Sequence, residues 1–195
     1  MRCWRSIRDE SSDHAIKTTN PNYNAWIMSA ANPVPSTQSD PARQLLRHTL
    51  ATLAYRGSKA LRGAPDGFSS FTCGGGCRSA GQILAHIGDL LEWGLSTVSG
   101  KEKWNASNVQ HWHEDVKRFH AALAALDAYF ASDKPLYAPI GKLFQGPVAD
   151  ALTHVGQIAV LRRMAGSPVK GENYFVADIS AGRVGADQAA PRREF

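Results

Sequence analysis

The stretch SAGQILAHIGDLLEWGLSTV, residues 79–98, decides the fold class. Its apolar side chains recur three and four residues apart, which is the spacing of one face of an α-helix. They are Ile83, Leu84, Ile87, Leu90, Leu91 and Leu95. A glycine at position 100 follows the segment, as glycine commonly does at a helix end. The stretch therefore predicts a helix that begins near Ser79 and ends near Val98.

Three further segments have the same periodicity. They cover residues 39–62, 108–131 and 147–164, and the first begins at Ser39 or Asp40 with Pro41 in its first turn, where proline is tolerated. A short extra turn is expected around residues 140–144. No segment alternates as a strand would. The four amphipathic segments predict an all-α fold, specifically an up-and-down four-helix bundle.

The regions outside these segments are irregular. Residues 1–38 are rich in Ser, Thr, Asn and Pro, which predicts a disordered N-terminal extension. Met28 offers a second start, so residues 1–27 are either dispensable or upstream of the natural start. Residues 39–166 form the predicted bundle, and residues 167–195 form an irregular tail that packs on it. The side chains expected to hold the tail are Tyr174, Phe175, Val176 and Ile179.

Composition restricts the class of protein. Hydrophobic residues make up 43% of the 195 residues and charged residues 20%, which excludes wholesale disorder. No apolar run approaches the ~18 residues of a membrane span, and the N-terminus lacks the apolar core of a signal peptide. Three cysteines cannot all pair within one chain, so reduced thiols and a cytoplasmic location are expected.

Charge argues against a nucleic-acid partner. The formal net charge is +5, with 22 basic and 17 acidic side chains. These charges are spread along the chain, and no run of Lys and Arg forms a basic patch. A solvated surface with a mild excess of positive charge explains the balance, and no membrane partner is indicated.

Polar residues interrupt two of the apolar faces. His86 lies among apolar residues of the second helix, while Asp150 and His154 are four residues apart on the fourth, one turn from each other on the same face. Two imidazoles and a carboxylate from facing helices can hold a divalent metal ion, and the interior of a helix bundle is a common place for such a site. This ligand set suits zinc, nickel, iron or manganese, with positions left for water or substrate.

Structural explanations compete with the metal at each of these positions. A histidine on an apolar helix face is usually a packed core residue. A carboxylate near a helix N-terminus is favoured by the helix dipole, and Asp150 follows Pro147 closely. The convergence of two helices is what favours the metal interpretation.

Other residues are expected around the site. Asp89, three residues after His86, is a candidate for orienting that imidazole, and Gln157 continues the line of Asp150 and His154. Trp93, Tyr55 and Arg162 are candidates for the pocket, although Arg162 also suits the end of a helix, where cations are favoured.

Two further motifs carry weaker signals. His111 and His113 have a spacing that points imidazoles away from each other on a helix, so a metal is not expected there. Cys73-Gly-Gly-Gly-Cys77 has neither redox nor phosphate-binding spacing and predicts a flexible loop.

The chain resembles the DinB/YfiT-like family of four-helix-bundle metalloenzymes. The resemblance rests on LAHIGDLLEWG at residues 84–94, and more strongly on DALTHVGQIAVLRR at 150–163, which is similar to the family pattern H-x-x-x-H-x-G-Q-[IL]-x-x-L-R-R. It covers about residues 40–166. The family's metal triad falls on His86, Asp150 and His154, with the carboxylate of Asp150 where the pattern has its first histidine.

This resemblance implies a divalent-metal enzyme of the hydrolase type or one that transfers a low-molecular-weight thiol. Zinc or nickel is the expected ion, with iron or manganese as alternatives. The substrate is a small molecule, no catalytic residue is assigned, and the family suggests a homodimer. The alternative is a non-catalytic, stress-linked binding or dimerisation protein whose metal site is degenerate, and Asp150 is the residue that favours it.

Overall fold

The computed structural model describes residues 40–195, and these contain four long helices. They are α1 Pro41–Leu61, α2 Ala80–Val98, α3 Trp112–Ala131 and α4 Ala149–Met164. Within residues 40–195 there is no strand, only an isolated bridge between Glu172 and Glu194. The prediction of an all-α fold is therefore confirmed. The predictions for residues 1–38, including the question about residues 1–27, lie outside the described residues.

The first two helices begin where their capping residues predict. Asp40 accepts a hydrogen bond from the backbone N–H of Ala42, with Pro41 at the first helical position. Ser79 and Gln82 form a reciprocal capping box at the start of α2. None of the helices among the described residues is long and apolar enough to cross a lipid bilayer.

The fourth helical segment is longer than predicted. A helical turn at Ile140–Leu143 and a π-helical stretch at Phe144–Val148 lead without interruption into α4. Pro147 lies in the π-helical stretch. Proline has no N–H and its ring collides with the carbonyl four residues earlier, and the wider π turn accommodates it.

The helices pack in a closed ring in the order α1, α3, α2, α4. Arg43 at the start of α1 bonds the Phe130 carbonyl at the end of α3, so these two helices are antiparallel. Arg118 near the start of α3 bonds the Ala85 carbonyl near the start of α2, and a Cβ on Gly94 late in α2 would meet Leu126 late in α3. Helices α2 and α3 therefore run in the same direction.

This parallel pair contradicts the predicted up-and-down path, in which neighbouring helices alternate. The reason is the segment 99–111, which we call the return segment. Residues in extended conformation span about 3.3 Å each, so the return segment reaches about 40 Å, whereas the helix α2 is about 28 Å long. It is long enough to run back along α2 and start α3 at the same end. Helix α3 consequently begins at Trp112 and not near Asn108.

Two buried arginines bond the ends of neighbouring helices. Arg43 is 1% exposed, and its guanidinium donates to the carbonyls of Phe130, Ser132 and Lys134 at and beyond the end of α3. Arg162 donates to the carbonyls of Ala60, Arg62 and Gly63 at the end of α1. These carbonyls have no partners within their own helices, so the arginines satisfy groups that would otherwise be orphaned.

The tail packs on α1 and α3, mostly through residues that the sequence did not indicate. The carboxylate of Glu172 is fully buried and bonds Tyr55 and Lys59, and Lys59 also binds Glu194. Val184 is buried beside His120. Of the side chains predicted to hold the tail, Tyr174 contacts Tyr55, and Ile179 packs against the core. Phe175 is 96% exposed, so its predicted anchoring role is wrong.

The two cysteines among the described residues differ. Cys73 is an exposed free thiol. Cys77 is disulfide-bonded. The prediction that all the cysteines are reduced is therefore wrong at Cys77. The intervening Gly74, Gly75 and Gly76 all have positive φ, a conformation that other residues rarely adopt.

Replacing Gly57 by alanine is expected to destabilise the protein by about 1–3 kcal/mol, because the new Cβ would overpack the core. A Cβ at this position would lie 2.5 Å from Cζ of Phe119, which is fully buried and has little room to move. Urea unfolding followed by circular dichroism measures the change. Gly156 on α4 is the matched control, because a Cβ there meets nothing within 4 Å. Alanine at position 156 should stabilise the helix by about 0.5–1 kcal/mol, so equal effects at both positions would contradict the packing described.

Candidate metal centre

Helices α2 and α4 bring together the three residues singled out as metal ligands. His86 comes from the middle of α2, and Asp150 and His154 come from successive turns of α4. One ligand atom from each side chain lies within 4.8 Å of the other two. The two imidazole rings meet edge to face, with their centroids 4.9 Å apart. The group of His86, Asp150 and His154, called the triad below, can hold a metal ion.

The distances within the triad fit a divalent metal ion. Nε2 of His154 lies 3.4 Å from Oδ1 of Asp150, and Nε2 of His86 lies 3.8 Å from Oδ2 of the same carboxylate. Two ligands about 2.1 Å from a tetrahedral metal are separated by about 3.4 Å. The spacing of His154 and Asp150 matches this value, the spacing of His86 and Asp150 is somewhat longer, and all three ligand atoms lie within 4.8 Å of one another.

The surroundings of His86 keep its imidazole neutral, which is the form that binds a metal. Burial lowers the pKa of His86, and the nearby positive charge of Arg78 lowers it further. The carboxylates of Asp150 and Asp89 oppose this shift without cancelling it. His86 is therefore a ready nitrogen donor at neutral pH.

Gln157, which the sequence places on the same helix line as Asp150 and His154, contacts the His154 imidazole directly. Oε1 of Gln157 lies 2.8 Å from Nδ1 of His154. An amide oxygen only accepts hydrogen bonds, so Nδ1 is the donor, and in the neutral imidazole this leaves the lone pair of Nε2 on the side of Asp150. This fixed tautomer is the usual arrangement of a metal-binding histidine.

The dipole explanation for Asp150 does not hold in the structure. It required Asp150 to lie in the first turn of a helix, where free backbone N–H groups attract negative charge. Because helical backbone extends from Ile140 through the π-helical stretch, the free end of this helix lies more than two turns before Asp150. The Asp150 side chain is 47% exposed, so its carboxylate is also within reach of solvent and of small molecules.

Asp89 does not orient His86 as predicted. Its buried carboxylate accepts hydrogen bonds from Nη2 of Arg118 at 2.7 Å and from the backbone N–H of Ser107 at 3.1 Å. These two bonds direct it toward α3 and the return segment. The sequence spacing places Asp89 near His86 on α2. Its hydrogen-bond partners lie on α3 and the return segment, and the pattern of α2 alone cannot predict them.

Two of the predicted pocket residues have other roles. The Tyr55 hydroxyl donates to Glu172 at 2.7 Å, and burial together with this bond raises the pKa of Tyr55 well above its usual range. Tyr55 therefore belongs to the tail contact. Arg162 is 5% exposed and bonds the end of α1. Its assignment to the pocket is therefore wrong. The alternative, a role at a helix end, is closer to the structure, although the bonded end belongs to the neighbouring helix α1.

The predicted pocket residue Trp93 contacts Trp104, which in turn contacts His86, and sequence reasoning missed Trp104. The indole of Trp104, in the return segment, meets the ring of His86 at a centroid distance of 5.7 Å and that of Trp93 at 6.0 Å. The segment has no periodicity, so no sequence signal placed Trp104 at the site. A tryptophan in an irregular polar stretch was the single hint.

The His111 and His113 rings are closer than their spacing predicted. Residue 111 precedes α3 and has an extended backbone, so helical geometry does not apply, and the two rings stack at 6.0 Å. His113 pairs with Glu114 on the surface. Within residues 40–195, the triad is the one group of three or more side chains with metal-ligand spacing.

No family model, curated protein or solved structure matches this chain. The resemblance to the DinB/YfiT-like family therefore stays a prediction. What is established is an all-α chain in which α2 and α4 bring two imidazoles and one carboxylate to a common point.

Proposed function

We propose that this protein is a divalent-metal-dependent enzyme, of the hydrolase or low-molecular-weight-thiol transferase type, built as a four-helix bundle of the DinB/YfiT-like kind. The observation that carries the proposal is the triad, with its ligand atoms within 4.8 Å of one another. His86, Asp150 and His154 would hold the ion, and zinc or nickel suits two imidazoles and a carboxylate, with iron or manganese as alternatives.

Each residue of the triad has a distinct part in this proposal. His86 supplies a neutral nitrogen because burial lowers its pKa. His154 supplies a nitrogen whose direction Gln157 fixes. Asp150 supplies a negative oxygen on the exposed side of the site. A bound ion would act as a Lewis acid that lowers the pKa of a water or thiol at its open position.

The competing proposal is a non-catalytic, stress-linked binding or dimerisation protein with a degenerate metal site. One observation favours it: the family pattern has a histidine where this chain has Asp150, and the Asp150 side chain is 47% exposed. An exposed carboxylate is well solvated without an ion, so it gains less from one than a buried ligand does. The homodimer, the cytoplasmic location and the small-molecule substrate remain predictions under either proposal.

Elemental analysis of the protein purified without chelator tests the proposal. We expect about one zinc, nickel, iron or manganese ion per chain, and loss of this ion when His86 is replaced by alanine, because three ligands are the minimum for such a site. His48→Ala is the matched control: His48 is an exposed histidine on α1, and its replacement should leave the metal content unchanged. Circular dichroism confirms that both variants are folded.

A different result would favour the competing proposal. If the wild-type protein takes up no ion, even after incubation with each of the four metals, the site does not bind metal and the chain is not a metalloenzyme. If His86→Ala keeps its metal, an ion is bound elsewhere and the triad is wrong. If instead the metal is present in the wild-type protein and lost in His86→Ala, the metal-loaded protein is screened for ester and amide hydrolysis and for thiol transfer.

A further inference from the structure

The return segment is attached to α2 by specific contacts along its length. The backbone N–H of Lys101 donates to the Ser96 carbonyl at 2.8 Å, and the N–H of Lys103 donates to Oγ of Ser96 at 3.1 Å. Nε1 of Trp93 donates to Glu102 at 3.2 Å. A segment with no helix or strand of its own is therefore held in one path by side chains of its neighbour.

The strongest attachment is buried. The N–H of Ser107 donates to Asp89, which is 5% exposed and is itself held by Arg118. Arg118 also donates to the carboxylate of Glu92 and to the carbonyl of Ala85, so its guanidinium is fixed on several sides. The Asp89 carboxylate of this ion pair is buried and the Arg118 side chain is 21% exposed, and removing the partner of a buried charge is costly. This anchor determines where the middle of the return segment lies.

The middle of the return segment presents Trp104 to the triad. The indole meets the ring of His86 at an interplanar angle of 64° and the ring of Trp93 at 78°. Trp104 is nevertheless 47% exposed. A large apolar surface thus stays uncovered beside the candidate ligand His86, on a segment whose residues 100–111 are all exposed.

We propose that Trp104 lines the substrate-binding side of the metal centre and determines its specificity. It selects small molecules in which the metal-binding donor group is attached to a flat, apolar or aromatic group. This inference rests on the proposed function, because the donor group needs the metal. Asp89 and Arg118 are positioning residues that act through Ser107 to hold Trp104 in place.

The physical basis is the burial of two apolar surfaces at once. A donor group on the ion brings the remainder of its molecule next to His86, where the indole edge already lies. An aromatic group placed there covers the exposed part of Trp104, and paired aromatic rings are stabilised by more than the area that they bury. Together with that burial, a preference of about tenfold is expected over a methyl group in the same position.

Two hydroxamates test the proposal on the zinc-loaded full chain. Benzohydroxamate and acetohydroxamate carry the same metal-binding group and differ in the phenyl or methyl group attached to it. Isothermal titration is expected to give about tenfold tighter binding of benzohydroxamate to the wild-type protein. Trp104→Ala should reduce that preference to about twofold or less while acetohydroxamate binding and zinc content stay unchanged, and Trp104→Phe should keep part of the preference.

Tyr137→Ala is the matched control, because Tyr137 is an aromatic residue of similar exposure, 50%, that lies against Gly100 and not against the triad. The Tyr137→Ala variant should prefer benzohydroxamate over acetohydroxamate by the same factor as the wild-type protein. Equal affinities for the two hydroxamates in the wild-type protein, or an unchanged preference in Trp104→Ala, would overturn the assignment of Trp104 alone. A protein that takes up no zinc would overturn the proposed function and this inference together.

Discussion

Replacing Asp150 by alanine is expected to weaken zinc binding by roughly 100-fold or more, because even the loss of an outer hydrogen-bonding partner of a metal ligand costs 10–100-fold. Replacing it by histidine should keep or strengthen binding, since a third imidazole restores the nitrogen of the family pattern at the same position. Competition with a chromophoric zinc chelator measures both affinities. Asp150→Asn, which keeps an oxygen but loses the charge, should lie between the two.

The half-exposed position of Asp150 makes this series interpretable. Its side chain is 47% exposed, and among residues 40–195 it makes ion pairs only with the two histidines of the triad. The three variants should therefore unfold within about 0.5 kcal/mol of the wild-type apoprotein, as is usual for surface substitutions. Asp150→Ala with unchanged zinc affinity would show that the carboxylate is not a ligand, and weaker binding in Asp150→His would show that the site requires oxygen.

Replacing Arg162 by methionine is expected to destabilise the protein by about 3 kcal/mol, because buried carbonyls at the end of α1 would lose their donors. The guanidinium bonds the carbonyls of Ala60, Arg62, Gly63 and Ser167, at 2.9–3.0 Å. No carboxylate of the described part of the chain pairs with it, and burial lowers its pKa. Its contribution is therefore made by hydrogen bonds, which urea unfolding of the apoprotein will measure.

Arg163 provides the matched control for Arg162. It is the next residue in α4 and is exposed. Arg163→Met removes the same charge from the same helix end, so it should change the free energy of unfolding by no more than about 0.5 kcal/mol. Similar losses in the two variants would mean that the effect comes from the charge at the helix terminus and not from the bonds to α1.

The ligand positions of the triad could be predicted because their arrangement on each helix is local. Asp150 and His154 are four residues apart, and that spacing alone places them one turn apart on one face of a helix. Gln157 follows by the same rule, and the structure places it on Nδ1 of His154. The predictions for Asp89 and Arg162 failed for the opposite reason: their partners lie 29 and about 100 residues away.

The return segment shows most clearly which features of the structure local sequence patterns cannot predict. Residues 99–107 have no periodicity of a helix or strand, so no local pattern predicts that Trp104 lies beside His86 or that α2 and α3 are parallel. Both follow from where Asp89 and Ser96 attach the segment to α2. Side-chain anchors of this kind can be recognised only when both partners are seen in space.

The amino-acid sequence by itself determined the all-α class, the starts of α1 and α2, and the positions of the triad residues on their helices. Capping residues, apolar periodicity and i, i+4 spacing act over a few residues, so they can be read along the chain. Only the tertiary structure decided the helix directions, the convergence of α2 and α4 at the triad, and the roles of Asp89, Trp104 and Arg162. These depend on contacts between distant residues, whose formation is governed by packing and loop length and not by local preference.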